Sequence, residues 1–389
     1  MPHGPSLPRL PLLAIGLFVT VVSAGVSMRA GGQDGPRHQG TVDISTGLYI
    51  REDDDFVVDG NVVLPLRRTY LSGDRVSRHF GVGATHSGEW YLRGDPDNVT
   101  WAELVSARRE RIRFERVTPG NGLEHALLRH TATSGEFYGA VLGWVNKEWA
   151  IRFADGRLAR LGDCDPDGHD LCSLIEMWGT DNGSIIYARN EFGRLVAVQS
   201  DDDRIVLDYD DHGRIIRGFT TAGAVSYEYD DKGRLRRVTP PDNTVRSYTY
   251  DDLDQLTRID EPDQSVETTF RDGRVVRKLT RMADGKTRAL EFAYTIVAGR
   301  VAASDVTESD GTHTVYLFDE QRHLVSEVID ARAEHPISID YDRGDEDSPA
   351  TAITIQCTTS KGLLVRTVPA QRGTEDAVKE SVIASDCRH

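Results

Sequence analysis

Apolar and polar residues alternate through the middle of the chain, as in Val225-Ser226-Tyr227-Glu228-Tyr229 and Val245-Arg246-Ser247-Tyr248-Thr249-Tyr250. A period of two suits β-strands with one buried face. A recurring turn punctuates these stretches. Gly193-Arg194-Leu195, Gly213-Arg214-Ile215 and Gly233-Arg234-Leu235 follow one another at intervals of 20 residues. Asp254-Gln255-Leu256 and Gly273-Arg274-Val275 come after 21 and 19 residues, and Gly299-Arg300-Val301 and Arg322-His323-Leu324 at looser spacing. Gly156-Arg157-Leu158 reads as an earlier, degenerate copy. An aromatic residue and an aspartate precede the turn in Tyr209-Asp210 and Tyr229-Asp230, and also in Tyr250-Asp251 and Phe318-Asp319, where the glycine has been lost.

Each letter of the repeat has a physical use. About 20 residues hold two strands of roughly 6–8 residues and two tight turns. Aspartate at the strand end caps the turn through its side chain, and glycine accepts positive φ there. Pro240-Pro241-Asp242-Asn243 reads as the opposite turn of the hairpin. The arginine stem covers an aromatic ring on the neighbouring strand while its head stays in water.

The pattern Tyr-x-Tyr-Asp-x-x-Gly-Arg-Leu, whole in Tyr227 to Leu235, resembles the YD repeat of Rhs proteins, teneurins and toxin-complex shells, and spans Trp149 to Asp342. Upstream, Val42-Asp43-Ile44-Ser45-Thr46-Gly47, Leu64-Pro65-Leu66-Arg67-Arg68-Thr69-Tyr70 and Phe80-Gly81-Val82-Gly83 resemble the uncharacterised domain that precedes the repeats in many Rhs proteins. Ala84 stands where that family usually has Trp. In the large members of the family, many repeats curl into a hollow β-shell around a C-terminal toxin. This chain has about eight units, no self-cleaving Asp-Pro motif after them and a tail short for a toxin domain. The resemblance therefore implies an all-β fold: an antiparallel YD-repeat hairpin sheet curling into an open partial shell, with a β-rich N-terminal domain and a small ββα C-terminal cap.

The expected division is a signal peptide over 1–24, a flexible linker over 25–40, the N-terminal domain over 41–148, the repeat sheet over 149–342, a linker over 343–350 and the cap over 351–389. Arg9, the apolar run Leu10 to Val22 and the small-residue site Val22-Ser23-Ala24 carry the first assignment. The run is short for a membrane span, and an uncleaved anchor is the alternative. In the cap, Ala352 to Cys357 and Leu363 to Val368 form a strand pair around Lys361-Gly362. Thr374 N-caps a helix from Glu375 to Ala384.

Composition narrows the function. The chain has 389 residues, 39% hydrophobic and 28% charged, which sets wholesale disorder aside. Its net charge of −16 repels phosphate backbones and anionic lipid, so nucleic acid is excluded as a partner and membrane contact is left to an uncleaved signal segment. Export to the periplasm or medium gives its four cysteines an oxidising compartment. Of the three pairings open to them, Cys164–Cys172 with Cys357–Cys387 needs least chain rearrangement; four free thiols are the alternative.

Candidate sites are few. The repeat turns are marked by Tyr209, Asp210, Gly213, Arg214, Tyr229, Asp230, Gly233, Arg234, Tyr250, Asp251, Gly273 and Arg274. Asp163, Asp165, Asp167 and Asp170, with Gly168 among them, imitate the opening of a calcium loop. Leu174 then holds the place of the bidentate glutamate, and the competing reading is a disulfide-pinned turn with solvated carboxylates. The acidic runs Glu52 to Asp55, Asp201 to Asp203 and Asp230-Asp231 read as solvated turns. Trp90, Trp101, Trp144, Trp149 and Trp178 suit packing between sheets or stacking on sugar rings. The 12 histidines show no metal-ligand or catalytic spacing, and neither GxSxG nor a P-loop occurs. The expected function is an exported structural or interaction module, not an enzyme and without a cofactor apart from the calcium candidate. It would bind a partner protein or a glycan at the cell surface or in the periplasm on its β-sheet surface. The alternative is an accessory or shell-like component of a polymorphic toxin system that acts with a separate effector chain.

Overall fold

The alternating stretches form antiparallel strands in the computed structural model, which describes residues 38–39, 42–59, 62–94, 98–132, 135–162, 164, 172–180, 183–344, 350–360, 362–370 and 375–387. The segment 1–24 expected as a signal peptide lies outside the described residues. Gly223–Tyr229 shows how the pattern works: Val225 and Tyr227 are buried, while Ser226 and Glu228 face water.

The strands fall into a small sheet, a ring and a strip. The N-terminal sheet joins His38–Gln39, Val42–Asp43, Leu48–Val58, Leu64–Leu71 and Ala84–His86 in that order. His38 and Gln39, expected in a linker, thus pair with Asp43 and Val42.

A ring of eight strands follows: Tyr91–Gly94, Trp101–Val105, Arg111–Arg116, Leu127–Arg129, Val141–Val145, Glu148–Arg152, Leu158–Gly162 and Cys172–Trp178. Each pairs with the next. The last returns to the first through Cys172 opposite Leu92 and Ser173 opposite Tyr91. The boundary expected between 148 and 149 falls inside one of these strands, because hairpin pairing runs straight across it.

Cys172–Trp178 is the junction. Its first residues close the ring, whereas Glu176, Met177 and Trp178 pair with Ile186, Ile185 and Ser184 and start the strip. The strip is a continuous antiparallel meander from Ser184–Arg189 to Gly362–Pro369. The partial shell is therefore closed at its N-terminal side and open at the other. Among the described residues, Gly362–Pro369 pairs with Ala350–Thr359 alone. The end of the strip nevertheless comes round to the ring. A cavity of about 840 Å³ separates Ala350, Thr351 and Ala370 from Arg129, Tyr138 and Arg152.

The ββ part of the cap is the last hairpin of the strip, since Arg343 pairs with Ala350 and Ile339 with Ile355. The linker expected over 343–350 is thereby bridged at both ends by sheet hydrogen bonds. A helix, Glu375–Val382, continues as a π-turn over Ile383–Cys387, and Cys357–Cys387 joins it to the hairpin. Thr374 lies outside the described residues.

The strip wraps the N-terminal sheet on one face, with contacts from Tyr187 to Ser304. Ser304 Oγ donates to the Ile44 carbonyl, the Val275 amide to the Gly47 carbonyl and the Ile215 amide to the His79 carbonyl. Phe80 lies 4.8 Å from Tyr227 between ring centroids. Gly81 is needed for its size and its backbone: φ is +91°, and a Cβ there would sit 2.6 Å from the Gly233 carbonyl oxygen.

Candidate functional site

The repeat turns are the most regular feature. Asp210 Oδ1 accepts from the His212 and Arg214 amides at 2.9 and 2.8 Å, and Oδ2 accepts from Arg214 Nε at 2.7 Å. Asp230 does the same for Lys232 and Arg234. These donated bonds outweigh burial and hold both carboxyls below the usual carboxylate range. Gly213 and Gly233 take φ of 76° and 79°, and Asp254 and Arg322 occupy the equivalent place at 61° and 70°. The residue before each turn aspartate sits at a β-bulge, as between Asp208/Tyr209 and Glu228/Tyr229.

The aromatic residue ties one repeat to the one before it. Tyr209, Tyr229 and Tyr250 donate to the carbonyls of Leu195, Ile215 and Leu235 at 2.6, 2.6 and 2.9 Å. Arg214 lies over the Tyr229 ring at 4.6 Å and Arg234 over Tyr250 at 5.1 Å. The arginine heads are not in water as expected from sequence. They fold back onto their own turn aspartates, with side-chain exposures of 15% and 14%. Gly273-Arg274 departs from the pattern: Asp272 and Gly273, at φ 51° and 77°, make a two-residue hairpin turn with Arg271 opposite Arg274.

A second feature corrects the sequence reading. Glu52 to Asp55 lie within the strand Leu48–Val58, not at a turn. Alternation places Arg51, Asp53 and Asp55 on its buried face. Arg68, on the next strand and 2% exposed, donates to Asp55 Oδ2 at 2.8 Å, to Asp53 Oδ2 at 2.9 Å and to the Tyr248 hydroxyl at 2.7 Å. Arg246 reaches Asp55 at 2.7 Å, and Arg51 reaches Glu261. Burial alone would raise the Asp53 carboxyl, but Arg68, Arg51 and Arg246 hold it at about 2. The network thus fastens the N-terminal sheet to the repeat strand Arg246–Tyr250 and, through Glu261, to the turn after Leu256–Asp260. The signal in the sequence is an unbroken charged run, Arg51 to Asp55, followed on the next strand by Arg67-Arg68.

A third cluster joins His79, His86 and Glu89, whose ligand-type atoms lie within 4.8 Å of one another. His86 ends a strand of the N-terminal sheet and is 1% exposed, and neither of its ring nitrogens has a hydrogen-bond partner. Burial, with His79 and Arg189 nearby, pushes His86 well below the ordinary histidine range, so its imidazole is neutral. His79 Nδ1 stands 3.1 Å from Glu89 Oε2, which Thr85 Oγ1 also approaches. The sequence shows these histidines only as scattered; the short strand Gly81–Val82 and the turn at Gly83 bring His79 and His86 together.

Asp163, Asp165, Asp167 and Asp170, the calcium candidate, lie outside the described residues. Cys164 and Cys172 are bonded, as are Cys357 and Cys387. The tryptophans all have partners within the chain. Trp90 packs on Phe137 and Phe153, Trp144 on Trp149, and Arg113 and Arg160 cover Trp101 and Trp178.

Two family models match parts of the chain. Residues 39–114 match the family described as Domain of unknown function (DUF6531), and residues 229–266 match the RHS Repeat. No curated protein matches the chain. Among solved structures, the chain is similar to TcdB2-TccC3, at 12% identity over 71% of this chain and 21% of that one, with a TM-score of 0.36. For TcdB2-TccC3-TEV the identity is 14%, the shares 68% and 15%, and the TM-score 0.34. A porin-like protein from Bacteroides uniformis ATCC 8492 is 9% identical over 59% of this chain and 91% of its own, with a TM-score of 0.24. The chain spans about a fifth of the TcdB2-TccC3 chain.

Proposed function

We propose, from the premise that this chain is an Rhs/YD-repeat protein, that it is a non-enzymatic scaffold: a shell-like component of a toxin system whose effector is a separate chain. The scaffold part of this reading is carried by the buried Arg68, held by Asp53, Asp55 and Tyr248 between the N-terminal sheet and the repeats, and the toxin-system part rests on the repeat family. The strip's inner side, where a partner or glycan was expected, is taken over much of its length by the chain's own sheet. The signature residues of the repeat spend their hydrogen bonds inside the chain. Stacking of sugars on the tryptophans loses support for the same reason.

A protein partner then meets the outer surface or the open edge Gly362–Pro369, where Leu363 and Val365 are 71% and 55% exposed. Purification of the native protein from the cells that make it tests the proposal. Co-purification of a toxin chain is the expected result; a protein that emerges alone or carrying only glycan overturns it. The reading includes export, so terminal sequencing of the exported fraction should begin near Gly25, and an intact Met1 there would remove the cleaved signal peptide.

A further inference from the structure

We propose that His79, His86 and Glu89 form a three-ligand site for a divalent transition-metal ion of the Zn(II) class, placed where the N-terminal sheet meets the repeat strip. The His86 imidazole carries the argument. It is 1% exposed with both nitrogens unpartnered, although buried polar groups in folded proteins are almost always hydrogen-bonded or bound to an ion. A metal ion satisfies one of these nitrogens directly.

The donor set fits the ion. Two imidazoles and one carboxylate select a transition metal over calcium or magnesium, and three protein ligands leave a fourth position open. Ligands of one tetrahedral zinc stand roughly 3.3 Å apart, given Zn–N bonds of about 2.0–2.1 Å. His79 Nδ1 and Glu89 Oε2 are already at 3.1 Å, and the three ligand atoms all lie within 4.8 Å of one another. His79 lies in the turn between two short strands with a quarter of its side chain exposed, so rotation of its ring is the adjustment required.

The surroundings fix the carboxylate. Glu89 Oε1 faces Arg78 and Arg109 at 3.7 and 3.5 Å, which leaves Oε2 turned to His79 and Thr85. Asp74 balances the same two arginines at 2.9 and 3.3 Å. On the other side the site abuts the strip. The Arg189 guanidinium donates to the Gly88 carbonyl at 2.7 Å, and the Tyr209 ring lies 6.2 Å from that of His79. A bound ion would therefore pin the 79–89 segment against the repeats.

The test uses the full, untagged chain stripped with chelator. Zinc chloride is titrated against a chromophoric competitor, and cobalt(II) chloride is followed by visible absorption. One equivalent of tight zinc and a tetrahedral cobalt spectrum are expected. His79→Ala, at the exposed ligand, should weaken zinc at least about tenfold while the metal-free melt stays unchanged. Glu89→Gln should weaken it as well. His86→Ala should abolish binding, and if that variant does not fold, His79→Ala decides alone. Absence of stoichiometric zinc in the parent chain, or equal affinity in His79→Ala, overturns the site.

Discussion

The Tyr229 hydroxyl donates to the Ile215 carbonyl oxygen at 2.6 Å, across 14 residues of chain. Tyr209 and Tyr250 make the same reach to Leu195 and Leu235. Each repeat thus closes the backbone of its predecessor. Tyr229→Phe keeps the ring under Arg214 and removes only the donor. Urea melts should show a loss of about 1–2 kcal/mol, against a few tenths for Ser226→Ala on the exposed face. Equal melts would mean that the tyrosine ladder contributes packing alone.

The turn itself is tested one residue apart. Gly233→Val forces a β-branched side chain to φ 79° and within 3.0 Å of Arg214 Nη1, with an expected cost of about 1–3 kcal/mol. Lys232→Ala, at an exposed neighbour, should cost about 0.5 kcal/mol or less. Denaturant midpoints that do not separate the two variants would remove the turn assignment.

Arg67 and Arg68 are adjacent but face opposite ways. Arg68→Met strands Asp53 and Asp55 without their main partner, and about 3–5 kcal/mol should be lost. Arg67→Met breaks a pair with the half-exposed Asp54 and should cost less than about 1 kcal/mol. Comparable losses in calorimetry would show that burial of the network is not what holds the sheet in place.

Acid should act through Asp53. Its carboxyl is held at about 2 against an ordinary 3.8, so the folded state binds that proton less readily than the unfolded chain. The stabilisation, on the order of 2 kcal/mol, is complete above about pH 4 and lost as pH falls through 2. Stability followed between pH 5 and 2 should drop across this window in the parent chain and less steeply in Asp53→Asn. Parallel curves would exclude Asp53 as the group responsible.

The Cys357–Cys387 bond spans 30 residues and anchors the terminal helix to the last hairpin. Peptide mapping without reduction should recover this linkage and Cys164–Cys172. Cys387→Ser should speed amide exchange over Glu375–Val382 and leave Gly223–Tyr229 protected. Protection of the helix in the variant would mean that contacts such as Lys379 with Glu327 suffice to hold it.

What the sequence determined by itself is whatever rests on near neighbours along the chain. Asp210 and Arg214 are four residues apart, so turn, cap and bulge follow from residue types that favour one backbone conformation. Period-two alternation likewise announced antiparallel strands. Tertiary structure alone decided which face of each strand is covered, and by what. Acidic residues in sequence read as solvated, because burying a charge is unfavourable unless a partner offsets the loss of water. For Asp55 part of that partner is Arg246, 191 residues away. The closing of the ring at Cys172 and Leu92, and the meeting of His79, His86 and Glu89, depend in the same way on strands that no local pattern brings together. A turn is chosen by the torsions and hydrogen bonds of a few consecutive residues; an interior is chosen by the whole chain folding back on itself.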